Sequence, residues 1–131
     1  MAAITVTARS VKPMPGTIRR DFVAGGSGNV GDAVYIDSNG KVQQANASAA
    51  GTAIAIGIVV SAGSLGALTF ASGDAVSVVL LGVVGGFSSL TPGSLVYLSD
   101  TAGGFDTAAG TVSKKVGVAV SADKVLFALA V

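Results

Sequence analysis

A glycine turn followed by a short strand recurs along this chain and constrains its fold more than any other feature. Residues 31–42 comprise such a turn, the strand sequence Val-Tyr-Ile, and a second turn, Ser-Asn-Gly, that leads into another strand. Residues 92–100 repeat the turn and the Val-Tyr-aliphatic core, and residues 73–76 repeat Gly-Asp-Ala-Val. Glycine at such intervals interrupts helices and marks turns between short strands. The pattern predicts an all-β fold.

The hairpin at residues 34–45 is the clearest local prediction. Asn39 and Gly40 lie between two strand-like segments, and Asn-Gly is the pair that best tolerates the positive φ angles of a tight hairpin turn. Alternating apolar residues predict further strands at residues 4–8, 17–24, 54–60, 67–70, 76–81, 83–87, 95–98, 115–120 and 125–131. Many short strands joined by Gly, Asn and Pro turns are typical of a small antiparallel β-barrel or β-sandwich.

Two parts of the chain have similar sequences at similar spacing. Tyr35 and Tyr97 follow matching turns, and the strands that begin at Gly57 and Gly117 lie almost equally far beyond them. We interpret residues 31–62 and 93–122 as copies of one strand-turn-strand unit. Both copies belong to a single β domain, residues 25–131, which follows an N-terminal strand and basic arm, residues 1–24.

The composition excludes most catalytic chemistry. The chain has 131 residues, long enough for one domain with a core, and it contains no His, Cys or Trp. The usual general base, thiol nucleophile and zinc ligands are therefore missing. We expect no enzymatic activity, no cofactor and no metal. A glycosidase-like pair of Asp37 with Asp100 or Asp106, or calcium bound by oxygen-rich loops, lacks the sequence pattern of either site.

Other reactive residues have structural interpretations. Asp32, Asp74 and Asp100 occupy matching turn positions, where a carboxylate accepts a backbone amide and holds the turn. Lys114 and Lys115 follow Ser113, but adjacent lysines near a strand are typical of a solvated edge. The Gly-rich segment at residues 25–29 lacks the Lys-Ser pair of a phosphate-binding loop and is interpreted as a linker.

Neither a membrane nor a nucleic acid is an expected partner. Residues 52–70 carry no charge, but their apolar residues alternate, and Gly63 and Gly66 interrupt them, which favours strands over a spanning helix. The net charge is +1 and aromatics make up 5% of the residues, which provides little for binding nucleic acid. The N-terminus lacks the pattern of a signal peptide, so we expect synthesis and folding in a cytoplasm.

The N-terminal segment is unusually basic. Arg9, Lys12, Arg19 and Arg20 are half of the 8 basic residues and precede the first acid of the chain. Pro13 and Pro15 favour an extended backbone that suits a surface of another protein, with arginines paired to carboxylates. These six residues are the predicted partner interface; the alternative is scattered surface charge on a strand pair.

Several of these segments resemble one protein family. The opening at residues 1–8, the hairpin at 31–42, Gly-Ile-Val-Val-Ser-Ala at 57–62, Val-Tyr-Leu-Ser-Asp-Thr-Ala-Gly-Gly at 96–104 and the strand pair at 116–127 carry the likeness. Together they resemble small structural proteins of tailed bacteriophages, namely capsid decoration (cement) proteins and their head-fibre relatives.

The resemblance implies a non-enzymatic virion protein. It implies that the chain binds the major capsid protein on the outer surface of the capsid, stabilises the shell, forms a homo-oligomer, with a trimer favoured, and is made in the host cytoplasm. A tail or fibre domain that binds a host-surface receptor is the alternative. The absence of Trp argues against recognition of a glycan by stacking, although not against binding a protein.

Overall fold

The computed structural model describes residues 3–63 and 66–128, and it is all-β. About 45% of the chain is strand and 5% is helix, and an antiparallel sheet curls into a half-barrel, as the sequence predicts. The strands are β1 Ala3–Ile4, β2 Lys12–Pro13, β3 Ile18–Val23, β4 Gly28–Asn29, β5 Ala33–Ile36, β6 Val42–Gln44, β7 Gly57–Ser61, β8 Thr69–Phe70, β9 Ala75–Gly85, β10 Leu95–Leu98, β11 Phe105–Asp106, β12 Lys115–Ala119 and β13 Lys124–Ala128. Short 3₁₀ turns occur at Ala8–Ser10 and Ala50–Thr52.

The long strand β9 holds the sheet together. The main order is β1-β11-β10-β12-β13-β9-β7-β5-β6, and β2 and β3 also pair with β9. Val79 pairs with Ile58 of β7 and with Arg19 of β3, so these two strands lie on opposite edges of β9. Leu81 pairs with β13 and with β3 in the same way. One edge of β9 therefore joins β7 and β13, and the N-terminal strands cover the other edge.

Two groups of strands pair in the same register. We call β5, β6 and β7 with the start of β9 the first unit, and β10, β11, β12 and β13 the second unit. Val34 pairs with Gly57 in the first unit, and Val96 pairs with Gly117 in the second. β7 then pairs with β9 as β12 pairs with β13. The common pairing supports one construction for both units, while their origin by duplication stays a prediction.

The recurring glycines occupy three similar turns, at residues 29–32, 71–74 and 91–94. The third residue of each has positive φ: Gly31 at 99°, Gly73 at 94° and Gly93 at 86°. In each turn the amide of the fourth residue donates to the carbonyl of the first, at 3.0 or 3.1 Å. A positive φ at the third position is the conformation for which glycine is favoured in a type II turn.

The hairpin is confirmed, but its turn differs from the expected Asn-Gly pair with two positive φ angles. Ile36 pairs with Val42, the Asp37 amide donates to the Lys41 carbonyl at 2.8 Å, and the Gly40 amide donates to the Asp37 carbonyl at 3.0 Å. Gly40 has φ +78°, whereas Asn39 is not among the residues with positive φ. The loop therefore has three residues and requires the left-handed conformation only at its glycine.

Several strand boundaries differ from the prediction. The expected strands at 76–81 and 83–87 form the single strand β9, since Gly82, at φ +127°, continues the strand where an L-residue would be strained. β1 ends at Ile4, and only an isolated bridge from Val6 to Phe87 continues it. β7 begins at Gly57 and not at residue 54. β13 is described to Ala128, and the last three residues of the expected strand lie outside the described residues.

The core is aliphatic in the first unit and partly aromatic in the second. Phe105 and Phe127 of the second unit are buried together with Phe87, which follows β9, and the three ring centroids lie 5.6–6.0 Å apart. Val34, Val42 and other aliphatic residues fill the first unit. The N-terminal segment is part of this sheet and is not a continuous extended arm. It contains the 3₁₀ turn Ala8–Ser10, β1 pairs with β11, and β2 and β3 pair with β9.

Candidate interaction surface

The six N-terminal residues predicted to form an interface lie in separate places. Arg9 is in the 3₁₀ turn Ala8–Ser10, and Lys12 and Pro13 form β2. Pro15 is exposed at the bend before β3. The remaining two, Arg19 and Arg20, are adjacent in β3, so their side chains point to opposite faces. Of these six residues, Arg9 and Lys12 line a common groove.

This groove, of about 440 Å³, lies over Gly85 and Gly86. Lys12 and Lys124 both pair with Gly85, one from each neighbouring strand, so they flank a position without a side chain. Arg9 and Met14 also line the groove. The Gly85 groove, as we call it, thus brings three cations together across a glycine floor.

One carboxylate belongs to the Gly85 groove. Asp123 accepts hydrogen bonds from the Ser121 hydroxyl at 2.8 Å and from the Lys124 ammonium at 3.2 Å. These bonds, the first from Ser121, lower the pKa of Asp123 below its ordinary value of 3.8. Asp123 therefore stays ionised at neutral pH and offsets one of the three cations.

Arg20 lines a different, shallow groove of about 570 Å³, together with Asp21 and Lys41. This groove carries charges of both signs, because the carboxylate of Asp21 lies beside the cations of Arg20 and Lys41. Arg19 lies on the edge strand β3, where it pairs with Val79 of β9, and it is exposed. Charged residues on such an edge discourage pairing with other strands.

A row of apolar side chains crosses the second unit. Leu95 pairs with Val118, Val118 pairs with Leu126, and Leu126 pairs with Val83. Directly paired residues of antiparallel strands point to the same face. Leu126 alternates with the buried Phe127, so this face is the one opposite the aromatic core. We call Leu95, Val118, Leu126 and Val83 the open row, because Leu95 is 41% and Leu126 is 37% exposed.

The open row and the Gly85 groove form one surface. Lys124 precedes Leu126 by two residues on β13, and Gly85 follows Val83 by two residues on β9, so both pairs share a face. Leu81, which is 45% exposed, extends the apolar region on the side away from the groove. The result is an apolar area with cations along one side.

The aspartates outside this surface mainly hold loops. Asp37 accepts the amides of Asn39 and Lys41 and the side-chain amide of Gln43, and these bonds, the one from Gln43 foremost, lower the pKa of its carboxyl. Asp74 accepts the Ala71 amide within its own turn. Asp100 instead joins two loops, because it accepts both the amide and the hydroxyl of Thr111.

Asp32 differs from the other turn aspartates because it is partly buried. Its Oδ2 accepts the Asn29 amide at 2.8 Å and the Gln44 side-chain amide at 2.6 Å. Burial raises the pKa of Asp32 above 3.8, although both hydrogen bonds oppose the shift. A Cβ at Gly103 would lie 2.6 Å from the Asp32 carboxyl carbon, so a glycine in the opposite loop provides room for this carboxylate.

Within residues 3–63 and 66–128, no three His, Cys, Asp or Glu side chains are grouped so that they could hold a metal ion. The helices in the same residues include none that is long and apolar enough to span a membrane.

The sequence did not indicate the open row or the place of Lys124 in the Gly85 groove. Val118 and Leu126 alternate with buried residues, which indicates a two-faced strand but does not tell which face is covered. Lys124 is far from Lys12 in the sequence and meets it only through pairing with β9. Two adjacent glycines at 85 and 86 were the available signal for a close approach or a groove.

Comparisons with protein-family models and with curated proteins give no match. The likeness to phage structural proteins therefore rests on the turn and strand pattern itself.

Proposed function

We propose that this protein is a non-enzymatic virion component that binds the outer capsid surface of a tailed phage, through the major capsid protein, and stabilises the shell. The observation that carries the proposal is that the segments resembling decoration proteins are the strands and turns of one sheet. Their aspartates hold turns and loops through hydrogen bonds, as at Asp37 and Asp100. Such a scaffold suits repeated attachment at equivalent lattice positions, where avidity strengthens modest single contacts.

The proposal includes a homo-oligomer, with a trimer favoured, on the capsid exterior. The alternative is a tail or fibre domain that binds a host receptor, and no specific contact in the described residues favours it. Immunogold labelling of virions would place the protein on the head or on the tail.

The direct test is attachment to a shell. Purified protein is mixed with capsids of the phage that encodes it, assembled without this protein. We expect saturable, stoichiometric binding by sedimentation and a higher temperature of shell disruption by light scattering. A small β protein of similar charge serves as the control. Absence of saturable binding would refute the proposal.

The N-terminal prediction needs point variants. Deleting residues 2–16 would remove β1 and β2 and the buried Val11, so loss of binding would not distinguish a lost contact from a damaged fold. Arg19→Glu and Arg20→Glu change exposed side chains on opposite faces of β3. If the arginines contact the shell, one reversal should weaken attachment more than the other, with the melting temperature unchanged.

A further inference from the structure

The two units differ in how the same row is covered. In the first unit, the positions that correspond to Leu95, Val118 and Leu126 are Ala33, Ile58 and Val79, by pairing register. These three are 1%, 0% and 0% exposed. The chain thus buries this row in one unit and leaves the equivalent row open in the other. We call the buried one the closed row.

The open row is apolar although it faces outward. A solvated face of an antiparallel sheet normally alternates to polar residues, and contiguous apolar patches on a monomer mark interaction surfaces. Ile18 and Leu81, which pair with each other next to the row, are also exposed, at 54% and 45%. Apolar exposure here is a connected area and not single scattered residues.

Charge decides which kind of occupant fits. Arg9, Lys12 and Lys124 line the adjoining groove with one carboxylate, Asp123, which is already bonded to Lys124. A second copy docked by two-fold symmetry would present the same cationic groove to this surface. Like charges in an interface are costly, whereas carboxylates opposite the groove would be complementary. A partner with apolar side chains bordered by Asp or Glu fits better than a copy of this chain.

We propose that the open row and the Gly85 groove form the surface that docks on the capsid shell. Apolar side chains of the shell protein cover the open row, and a carboxylate of the same protein lies between Lys12 and Lys124. This inference rests on the proposed function, and it moves the docking surface from the N-terminal arm as a whole to the outer face of the second unit.

The experiment measures shell binding by variants that change one surface at a time. Leu126→Asp and Leu95→Asp place charges in the open row, and Lys12→Glu reverses a groove cation. Ile36→Asp and Lys41→Glu are the matched controls, because both residues are exposed and lie in the first unit. Melting temperatures establish that each variant is folded.

We expect Leu126→Asp and Leu95→Asp each to weaken binding at least about tenfold, as for residues at the centre of an interface. Lys12→Glu should weaken it about tenfold at low salt and less at high salt, because salt screens exposed charges. Both controls should bind like the wild type. If the wild type binds shells and the open-row variants bind equally well, this inference is wrong and the proposed function still stands.

Other occupants give different results. If isolated wild-type protein is an oligomer that Leu126→Asp dissociates, as measured by sedimentation velocity, the row contacts a second copy and the inference is wrong. Binding to vesicles of phosphatidylcholine and phosphatidylglycerol that Lys12→Glu abolishes would make the occupant a membrane, and would also overturn it. Failure of wild-type protein to bind shells would remove both the proposed function and this surface.

Discussion

The two units of this sheet share a pairing register but differ in what their outer faces contact. Gly57 and Gly117 are paired with matching valines, and each lies against a carbonyl of the next strand. Yet Ile58 is fully buried and Val118 is only partly buried, although both follow these glycines directly. Local sequence therefore sets how strands pair within a unit, and the rest of the molecule sets which faces remain available.

The largest expected effect comes from placing the same charge in both rows. Val79→Asp would bury a carboxylate at a fully buried position and should destabilise the fold by at least about 4 kcal/mol, close to the whole stability of a small domain. Leu126→Asp, at the equivalent exposed position, should cost about 0.5 kcal/mol. Urea unfolding monitored by circular dichroism measures both. Equal losses of stability in the two variants would show that the two rows are not buried to different extents.

The second prediction tests whether the shared register has a common cause. A Cβ at Gly57 would overlap the Val79 carbonyl oxygen, and one at Gly117 would overlap the Leu126 carbonyl oxygen. Gly57→Ala and Gly117→Ala should therefore each cost about 1–3 kcal/mol, because packed strands must move apart. Gly51→Ala is the control, since its Cβ would meet nothing within 4 Å. If one of the two substitutions left the free energy of unfolding unchanged, the shared register would not have the same cause in both units.

The sequence predicted well those features that depend on neighbouring residues. The all-β class, the hairpin and the matching turns follow from glycine positions and alternation, which act within a few residues. The continuous strand β9 was expected as two strands, because Gly82 suggests an end when read locally. Pairing on both edges of β9 carries the strand through this glycine.

Non-local contacts account for what the sequence did not predict about the surface. Ile58 and Val118 are similar residues in similar segments, so no local pattern distinguishes the fully buried one from the partly buried one. Arg9 and Lys12 were expected to act with Arg19 and Arg20 because they are close in sequence. The fold instead places them beside Lys124, which approaches them through β13 and β9.

The smallest expected effect concerns a turn position that differs between the units. Asp32 in the first unit corresponds to Ser94 in the second, and only the aspartate introduces a partly buried charge. Because burial raises the pKa of Asp32 above 3.8, the folded protein binds a proton more readily than the unfolded chain. The contribution of Asp32 to the free energy of unfolding should therefore fall as pH rises from 3.8 to its folded pKa, and stay constant above it.

Asp32→Asn keeps an oxygen that accepts the Asn29 and Gln44 hydrogen bonds but removes the ionisation. The variant should gain stability relative to the wild type as pH rises through that window, and keep the gain at neutral pH. Chemical denaturation at several pH values measures the difference. Asp74→Asn is the matched control, since Asp74 accepts the equivalent amide, from Ala71, in an exposed turn. If Asp32→Asn instead lost stability relative to the wild type with rising pH, the hydrogen bonds to the ionised Asp32 carboxylate would outweigh the cost of its burial. The charge of Asp32 would then stabilise the turn of the first unit.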